Sequence, residues 1–133
     1  MTGEWKNVTI IRTVRAELFH YMEVVMTYTE MFSKVKEMIA GVDVSRFSEH
    51  LAYQFNITGD AAGIFYVEVK EGQLHVEPYE YHDRDAIFTC SADTLFKIAS
   101  GKSDPVAAVM IGRLRVDGNI EKALKLKDIL ASK

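Results

Sequence analysis

The sequence predicts an α+β fold in which helices cover the apolar face of a five-stranded, antiparallel-rich sheet. Apolar residues recur every three or four positions between residues 10 and 40, as on one face of a helix. After Leu51 the spacing changes to two, and short turns separate the alternating segments, as in an antiparallel meander. From residue 91 onward, helical segments flank one further short strand.

The N-terminal helical segment is long, since about 30 residues exceeds the usual length of a globular helix. Its middle, VVMTYT at 24–29, is rich in β-branched residues that disfavour a helix. We therefore expect either one long helix or two helices with a break near 27–29, ending before Gly41. The apolar positions that recur along it are Ile11, Val14, Leu18, Met22, Val25, Phe32, Val35 and Ile39.

Apolar and aromatic side chains between residues 19 and 32 cover more than one face of this segment. A helix that is apolar nearly all round must be buried. Either a lid over a cavity mouth or a homodimer interface would bury the second face, and we favour the homodimer.

Three segments with alternating apolar and polar residues predict the first strands of the sheet. They are 51–58, 64–70 and 73–78, and the dipeptide Glu71-Gly72 between the last two is typical of a tight hairpin turn. Because the connections are short, we expect these strands to form a meander.

The C-terminal part combines helices with two further strands, AIFTCS at 86–91 and RLRVD at 113–117. Each of the three predicted helices begins at a capping position: Ser91 or Asp93, Asp104 followed by Pro105, and Asn119. The apolar side of the last helix is predicted to comprise Ala123, Leu124, Ile129 and Leu130, with Leu126 beside them.

The composition is that of an ordinary globular protein. Of 133 residues, 48% are hydrophobic and 26% charged, and the net charge of -3 does not indicate a nucleic-acid-binding surface. The single cysteine, Cys90, fits a reducing compartment and is expected to be a buried, inert thiol. Residues 1–17 lack the continuous apolar stretch of a signal peptide, so we expect a cytoplasmic protein.

Two longer stretches carry a resemblance to a known family. They are FNITGDAAGIFYVEVKEGQLHVE at 55–77 and FTCSADTLFKIASGKSDPVAAVMIGRLRVDGNIEKALKL at 88–126. The glycine-started strand, the Glu-Gly hairpin, the SGK-x-DP helix start and the G-R-L-R-V-x-G-N strand and turn occur in order. Collectively they resemble the sterol carrier protein 2 (SCP-2) family of lipid-binding domains, over roughly residues 31–133. The resemblance implies two parts, an N-terminal helical extension at residues 1–30 and a sterol-carrier-like lipid-binding domain at residues 31–133.

This resemblance implies a cavity between the sheet and its helices that holds a fatty acid, an acyl-CoA, a sterol or another lipid. It implies no catalytic residue, metal or cofactor. The small and flexible residues of VAAVMIGRL are either core or cavity lining, and the resemblance favours lining. The residues that we expect to line the cavity are Phe55, Phe65, Val67, Phe88, Leu95, Val106, Val109, Met110, Leu114 and Leu124.

Other interpretations remain open at this point. The domain either binds and transfers a lipid, or acts as an accessory domain that presents a lipophilic substrate, such as a quinone precursor, to a partner enzyme. A small enzyme using Tyr66, Glu68 or His75 as its acid or base is disfavoured, because these residues alternate onto the sheet face opposite the apolar one.

Two further patterns each have an ordinary structural interpretation and a functional one. The spacing of the four histidines does not indicate a metal site. A basic cluster is predicted from Arg113, Arg115, Lys122 and Lys125. It is either a solvated face or a binding patch for anionic lipid headgroups, through transient contact with a membrane surface, or for a CoA phosphate.

Overall fold

The computed structural model describes residues 26–132, which form four helices and one five-stranded sheet. In chain order the elements are α1 (Tyr28–Ile39), β1 (Leu51–Thr58), β2 (Gly63–Lys70), β3 (Gln73–Glu77), β4 (Ala86–Ser91), α2 (Ala92–Ala99), α3 (Pro105–Met110), β5 (Leu114–Gly118) and α4 (Ile120–Leu130). Within these residues, every helix is too short or too polar to cross a lipid bilayer.

The sheet has the strand order β3-β2-β1-β4-β5. Pairing is antiparallel between β1 and β2, between β2 and β3, and between β4 and β5, whereas β1 and β4 are parallel. The predicted α+β fold with a five-stranded, antiparallel-rich sheet is therefore confirmed. The meander occupies one edge of β1, and β4 takes the other edge, where Phe55 and Phe88 become register partners.

The parallel pair requires a connection that traverses the sheet. β3 and β4 both run parallel to β1, so residues 78–85 must pass from one end of the sheet to the other; we call them the crossover segment. This segment lies over the polar face, where the Tyr81 N–H donates to Gln54 Oε1 at 3.4 Å. Its last residue, Asp85, exchanges hydrogen bonds with the backbone of Ala52.

Local sequence signals account for the ends of the elements. Glu71 and Gly72 both have positive φ, 54° and 74°, as a two-residue hairpin turn of the predicted kind requires. Four helix N-caps accept a backbone N–H from the residue three positions later: Thr27, Ser91, Asp104 and Asn119. The caps predicted at Ser91, Asp104 and Asn119 are thus confirmed.

Thr27 decides between the two N-terminal helix predictions. Its extended backbone, with φ -79° and ψ 162°, ends any helix arriving from before it and begins α1. A single uninterrupted helix through Thr27 is therefore wrong. The non-helical backbone at Thr27 fits the alternative of two helices with a break near 27–29, but the first of those helices lies outside the described residues. Residues 1–25 lie outside the described part of the chain, and so do the lid and the homodimer interface predicted for the extension. The boundary at residue 31 stays a prediction.

The helices pack on the apolar face of the sheet around a row of aromatic rings. Phe55 stacks on Phe65 with 4.8 Å between ring centroids and on Phe88 with 5.1 Å. Phe32 of α1 contacts the Phe65 ring at 5.7 Å, which places α1 at one end of the row. The row joins β2, β1 and β4 and forms the floor on which the candidate site is built.

One prediction for α4 is wrong. Leu124 is 56% exposed, whereas Leu126 is buried together with Ala123 and Ile129. Positions 123, 126 and 129 are three residues apart and share one face of the helix, which turns Leu124 away from the sheet. The apolar residues of α4 were identified correctly, but Leu124 and Leu126 are only two positions apart and cannot both face the core.

Candidate ligand-binding site

An inner cavity lies between the aromatic row and the helices. Its volume is ≈ 40 Å³, and the described residues that line it are all apolar. Helices α1, α2 and α4 supply its roof, for example through Val35, Ile98 and Ile129. Six of the predicted lining residues line this cavity: Phe55, Phe65, Val67, Phe88, Leu95 and Leu114.

An outer groove lies beside the inner cavity, between α3, β5 and α4. Its volume is ≈ 270 Å³, and the part of its lining that the structure describes is apolar except for one side chain, Lys127. Six predicted residues line it, of which Phe88 and Leu114 also line the inner cavity: Phe88, Val106, Val109, Met110, Leu114 and Leu124. The exposure of Leu124 is thus explained, because this side chain faces the groove instead of the core.

Four residues line both spaces: Phe88, Pro105, Leu114 and Leu126. Because they line both spaces, they form a partition between the cavity and the groove. The inner cavity is far below the range of about 300–1,000 Å³ that ligand pockets span, and the groove alone is close to its lower end. A long ligand would fill the groove and reach the inner cavity only if the partition moved.

Helix α3 is the weakest part of the wall. It has only six residues, Ala108 is its buried one, and Met110 is 82% exposed. Because so little apolar surface anchors α3, displacing it costs little burial energy. The predicted pattern of small and flexible residues therefore yields a short, loosely held helix over the groove.

Several lining residues were not predicted as such. Val35 and Ile39 of α1, Ile98 of α2, and Leu126 and Ile129 of α4 line the inner cavity. Their helical periodicity is visible in the sequence and marks them as inward-facing. Periodicity does not show which inward-facing positions meet empty volume, because that depends on how the helices pack together.

The chain resembles known proteins over most of the part that the structure describes. The sequence model of the SCP-2 sterol transfer family matches residues 34–131. The chain belongs to the SCP-2 sterol transfer family. Mouse hydroxysteroid dehydrogenase-like protein 2 is 32% identical over 102 residues, covering 76% of this chain but 20% of the relative. Sterol carrier protein 2 from Arabidopsis thaliana is 32% identical over 79 residues, covering 56% of this chain and 64% of the relative.

Solved structures show the same fold. The solution structure of sterol carrier protein 2 from Aedes aegypti, in complex with palmitate, is 25% identical to this chain with a TM-score of 0.58. The match covers 80% of this chain and 96% of that one. The chain thus corresponds to nearly all of the Aedes protein, whereas it spans about a fifth of the mouse dehydrogenase-like relative.

The basic cluster predicted for this SCP-2 domain does not exist as a cluster. Arg113 precedes β5 and Arg115 lies on it; both flank the buried Leu114, so they point away from the helical layer. Lys122 and Lys125 lie on α4, on the other side of the sheet, and pair with Asp85 and Glu49. The prediction was wrong because four residues close in sequence are divided between opposite faces.

Cys90 is buried beneath the same helices and lines the inner cavity. Burial away from water disfavours the thiolate and raises the pKa of Cys90 to about 11. Because the thiolate is the nucleophile, this thiol is inert at neutral pH, as predicted. Among residues 26–132, there is no group of three or more His, Cys, Asp or Glu side chains that could hold a metal ion.

The polar face of the SCP-2 sheet holds a hydrogen-bonded cluster around Glu68, which is only 8% exposed. Glu68 Oε2 accepts from the Tyr81 hydroxyl at 2.5 Å and lies 2.7 Å from His50 Nε2. The Tyr66 ring packs against Tyr81 with 5.0 Å between centroids. This cluster fastens the crossover segment to the sheet, and its partners His50 and Tyr81 were not predicted.

The cluster bears on the disfavoured enzyme interpretation. Tyr66, Glu68 and His75 do lie together, since Glu68 and His75 are register partners on β2 and β3. They are nevertheless on the sheet face opposite both apolar cavities, and the Glu68 carboxylate is already engaged by Tyr81. A lipid in the cavity would be separated from these groups by the sheet.

Glu68 should make stability depend on pH. Burial raises its pKa, but hydrogen bonds from His50 and Tyr81 together outweigh that effect and hold the pKa below the ordinary value of 4.5. A carboxyl with a lowered folded-state pKa stabilises the fold above its unfolded pKa, and this contribution is lost as the pH falls below about 4.5. In urea titrations at pH 7, the free energy of unfolding of Glu68→Gln should be about 1 kcal/mol lower than that of the parent protein. Between about pH 5 and pH 3, it should decline less steeply than that of the parent.

Glu77→Gln on the neighbouring strand is the matched control and should keep the acid sensitivity of the parent protein. If Glu68→Gln declined as steeply as the parent, Glu68 would not be the titrating group. The opposite pH extreme tests the same contact. The hydrogen bond to Glu68, followed by burial, raises the pKa of Tyr81 to about 12. The hydrogen bond from Tyr81 to Glu68 should therefore persist above about pH 10.

Proposed function

We propose that this domain binds a long-chain or polycyclic lipid non-covalently in the outer groove and inner cavity, and transfers it between donors and acceptors. The observation that carries the proposal is the pair of apolar spaces that share the partition Phe88, Pro105, Leu114 and Leu126. The Aedes relative in complex with palmitate, with the same fold at 25% identity, supports a fatty acyl chain as one ligand.

Transfer of hydrocarbon out of water supplies the free energy of binding. Each buried methylene contributes about 0.8 kcal/mol, so a ten-carbon stretch gains about 8 kcal/mol before the cost of association. The described lining of the inner cavity is apolar throughout and therefore distinguishes ligands by length and shape rather than by polar groups. Within the inner cavity, lipids with similar apolar area would therefore gain similar binding free energy.

Loading requires the partition to open. Helix α3 is the element that moves most easily, because Ala108 is its buried anchor. α4 forms the opposite wall of the groove. Because a short connection at 100–104 joins α2 to α3, the two helices would move together. A shift of the α2–α3 pair away from α4 would separate Pro105 from Leu126 and join the two spaces.

The first experiment is extraction of the purified protein with organic solvent, followed by mass spectrometry of the extract. We expect a lipid in near-stoichiometric amount, enriched over the host background. Titration with palmitate and cholesterol against a fluorescent lipid then measures affinity. An empty extract together with failure of both ligands to displace the fluorescent lipid would overturn the proposal.

A second candidate function is supported by the architecture of the relatives. The mouse relative carries the matching region within a chain about five times as long as that region, and its name describes it as dehydrogenase-like. An SCP-2 domain can therefore belong to a larger assembly, in which it presents a lipophilic substrate, such as a quinone precursor, to an enzyme. Lipid transfer between vesicles without any enzyme favours the first function. Stimulation of a purified, stoichiometrically bound enzyme favours the second.

A further inference from the structure

Lys127 occupies a singular position in the outer groove. Among the groove's described lining residues it is the one polar residue, and the others are aliphatic, aromatic or proline side chains. The side chain is 60% exposed, so its ammonium group lies at the mouth while its methylenes line the wall. A ligand lying in the groove would meet hydrocarbon along its length and one positive charge at its end.

The present partner of Lys127 is Asp104, across the groove mouth. Lys127 Nζ lies 2.9 Å from Asp104 Oδ1 and connects α4 to the beginning of α3. The other oxygen, Oδ2, accepts the Ala107 N–H at 3.2 Å as the cap of α3. The two roles of Asp104 use different oxygens, so Lys127 can leave without unmaking the cap.

The other lysines of α4 are placed differently. Lys122 pairs with Asp85 at 3.0 Å, and Lys125 pairs with Glu49; neither of these lysines lines the groove. Among the residues that the structure describes, Lys127 is therefore the α4 cation that a ligand headgroup in the groove would meet.

We propose that Lys127 recognises the anionic headgroup of the bound lipid, so that the groove selects long-chain carboxylates over neutral lipids of equal length. The inference deepens the proposed function and rests on it. On binding, the ligand carboxylate replaces Asp104 Oδ1 as the partner of Lys127. Asp104 keeps its cap on α3, and the ion pair across the mouth is released as the groove fills.

The strength of this selection follows from exposure. An ion pair at a solvated mouth contributes little, because water and salt screen both charges. The apolar lining contributes about equally for the acyl chain of an acid and of its ester, so Lys127 is the lining residue that favours the acid. We expect palmitate to bind about three- to fivefold more tightly than methyl palmitate, and the ratio to shrink as salt is raised.

Two substitutions test the assignment with opposite signs. Lys127→Gln should remove the preference by weakening palmitate about three- to fivefold, while methyl palmitate is unchanged. Asp104→Asn keeps a good capping residue but removes the competing carboxylate, so palmitate should bind more tightly and methyl palmitate the same. Lys125→Gln, on the same helix but outside the groove, should alter neither affinity. Displacement of a fluorescent lipid at low salt measures all four proteins.

The outcomes separate this inference from the proposed function. If Lys127→Gln weakened acid and ester equally, Lys127 would act only by closing the groove, and headgroup recognition would be wrong. If Asp104→Asn weakened palmitate, the ion pair would support binding rather than compete with it, which also overturns the inference. Binding of both lipids without preference by the parent protein removes the inference and leaves the proposed function intact. Binding of neither removes both.

Discussion

Replacing Val109 by aspartate should lower the affinity for long-chain lipids by about a hundredfold. Val109 lines the outer groove and is 43% exposed, so the new carboxylate is hydrated in the empty protein and lies against hydrocarbon in the complex. Removing its water without a hydrogen-bonding partner costs about 3 kcal/mol, which corresponds to about two orders of magnitude in Kd. Displacement of a fluorescent lipid measures the loss.

Ile111→Asp is the matched control for this substitution. Ile111 is the C-cap of the same helix and is 67% exposed, but it does not line the groove. Both variants place a negative charge at the C-terminal end of α3, so the unfavourable effect on the helix is shared. Equal losses of affinity in the two variants would mean that α3 stability, not groove contact, controls binding.

Replacing Gly118 by alanine should strongly destabilise the fold. Gly118 ends β5 with φ 106°, where an L side chain is strained. An added Cβ would also lie 2.6 Å from the Asp85 carbonyl oxygen and 3.0 Å from Ala86 Cα, and neither backbone atom can swing aside. We expect a loss of about 2–4 kcal/mol and a Tm lower by about 10 °C, measured by urea and thermal unfolding.

Gly112→Ala separates strain from collision. Gly112 has a similar positive φ of 78°, but an added Cβ there would meet no heavy atom of the described residues within 4 Å, apart from its chain neighbours. Only the backbone strain of about 1 kcal/mol should remain at this position. If the two alanine variants lost equal stability, the close approach of the β5 end to Asp85 would not be maintained in solution.

The turn around Gly118 shows how much of the fold follows from local sequence. The Asp-Gly-Asn turn predicts the end of β5 and the Asn119 cap of α4, and both are observed. The hairpin at Glu71-Gly72 and the helix start at Asp104-Pro105 are equally local. Each depends on backbone preferences of neighbouring residues, so a single sequence contains the necessary information.

The types of residue that line the site, and the side of each helix or strand on which they lie, were predictable from the sequence. All ten residues expected to line a cavity do line either the inner cavity or the outer groove, although ligand contact by any of them stays a prediction. What was not predictable is the division of this space by Phe88, Pro105, Leu114 and Leu126, which come from different parts of the chain. Their convergence depends on packing distances that periodicity does not encode.

The sequence by itself determined the order and ends of the elements between α1 and α4, the apolar face of the sheet and the family to which the chain belongs. Only the tertiary structure decided the parallel pairing of β1 with β4, the crossover segment held by Glu68 and Tyr81, and the placement of Lys127 opposite Asp104. The physical reason is range. Helix caps, turns and alternation are set within a few residues, whereas strand partners, ion pairs and cavity volume are set by contacts between segments distant in the chain.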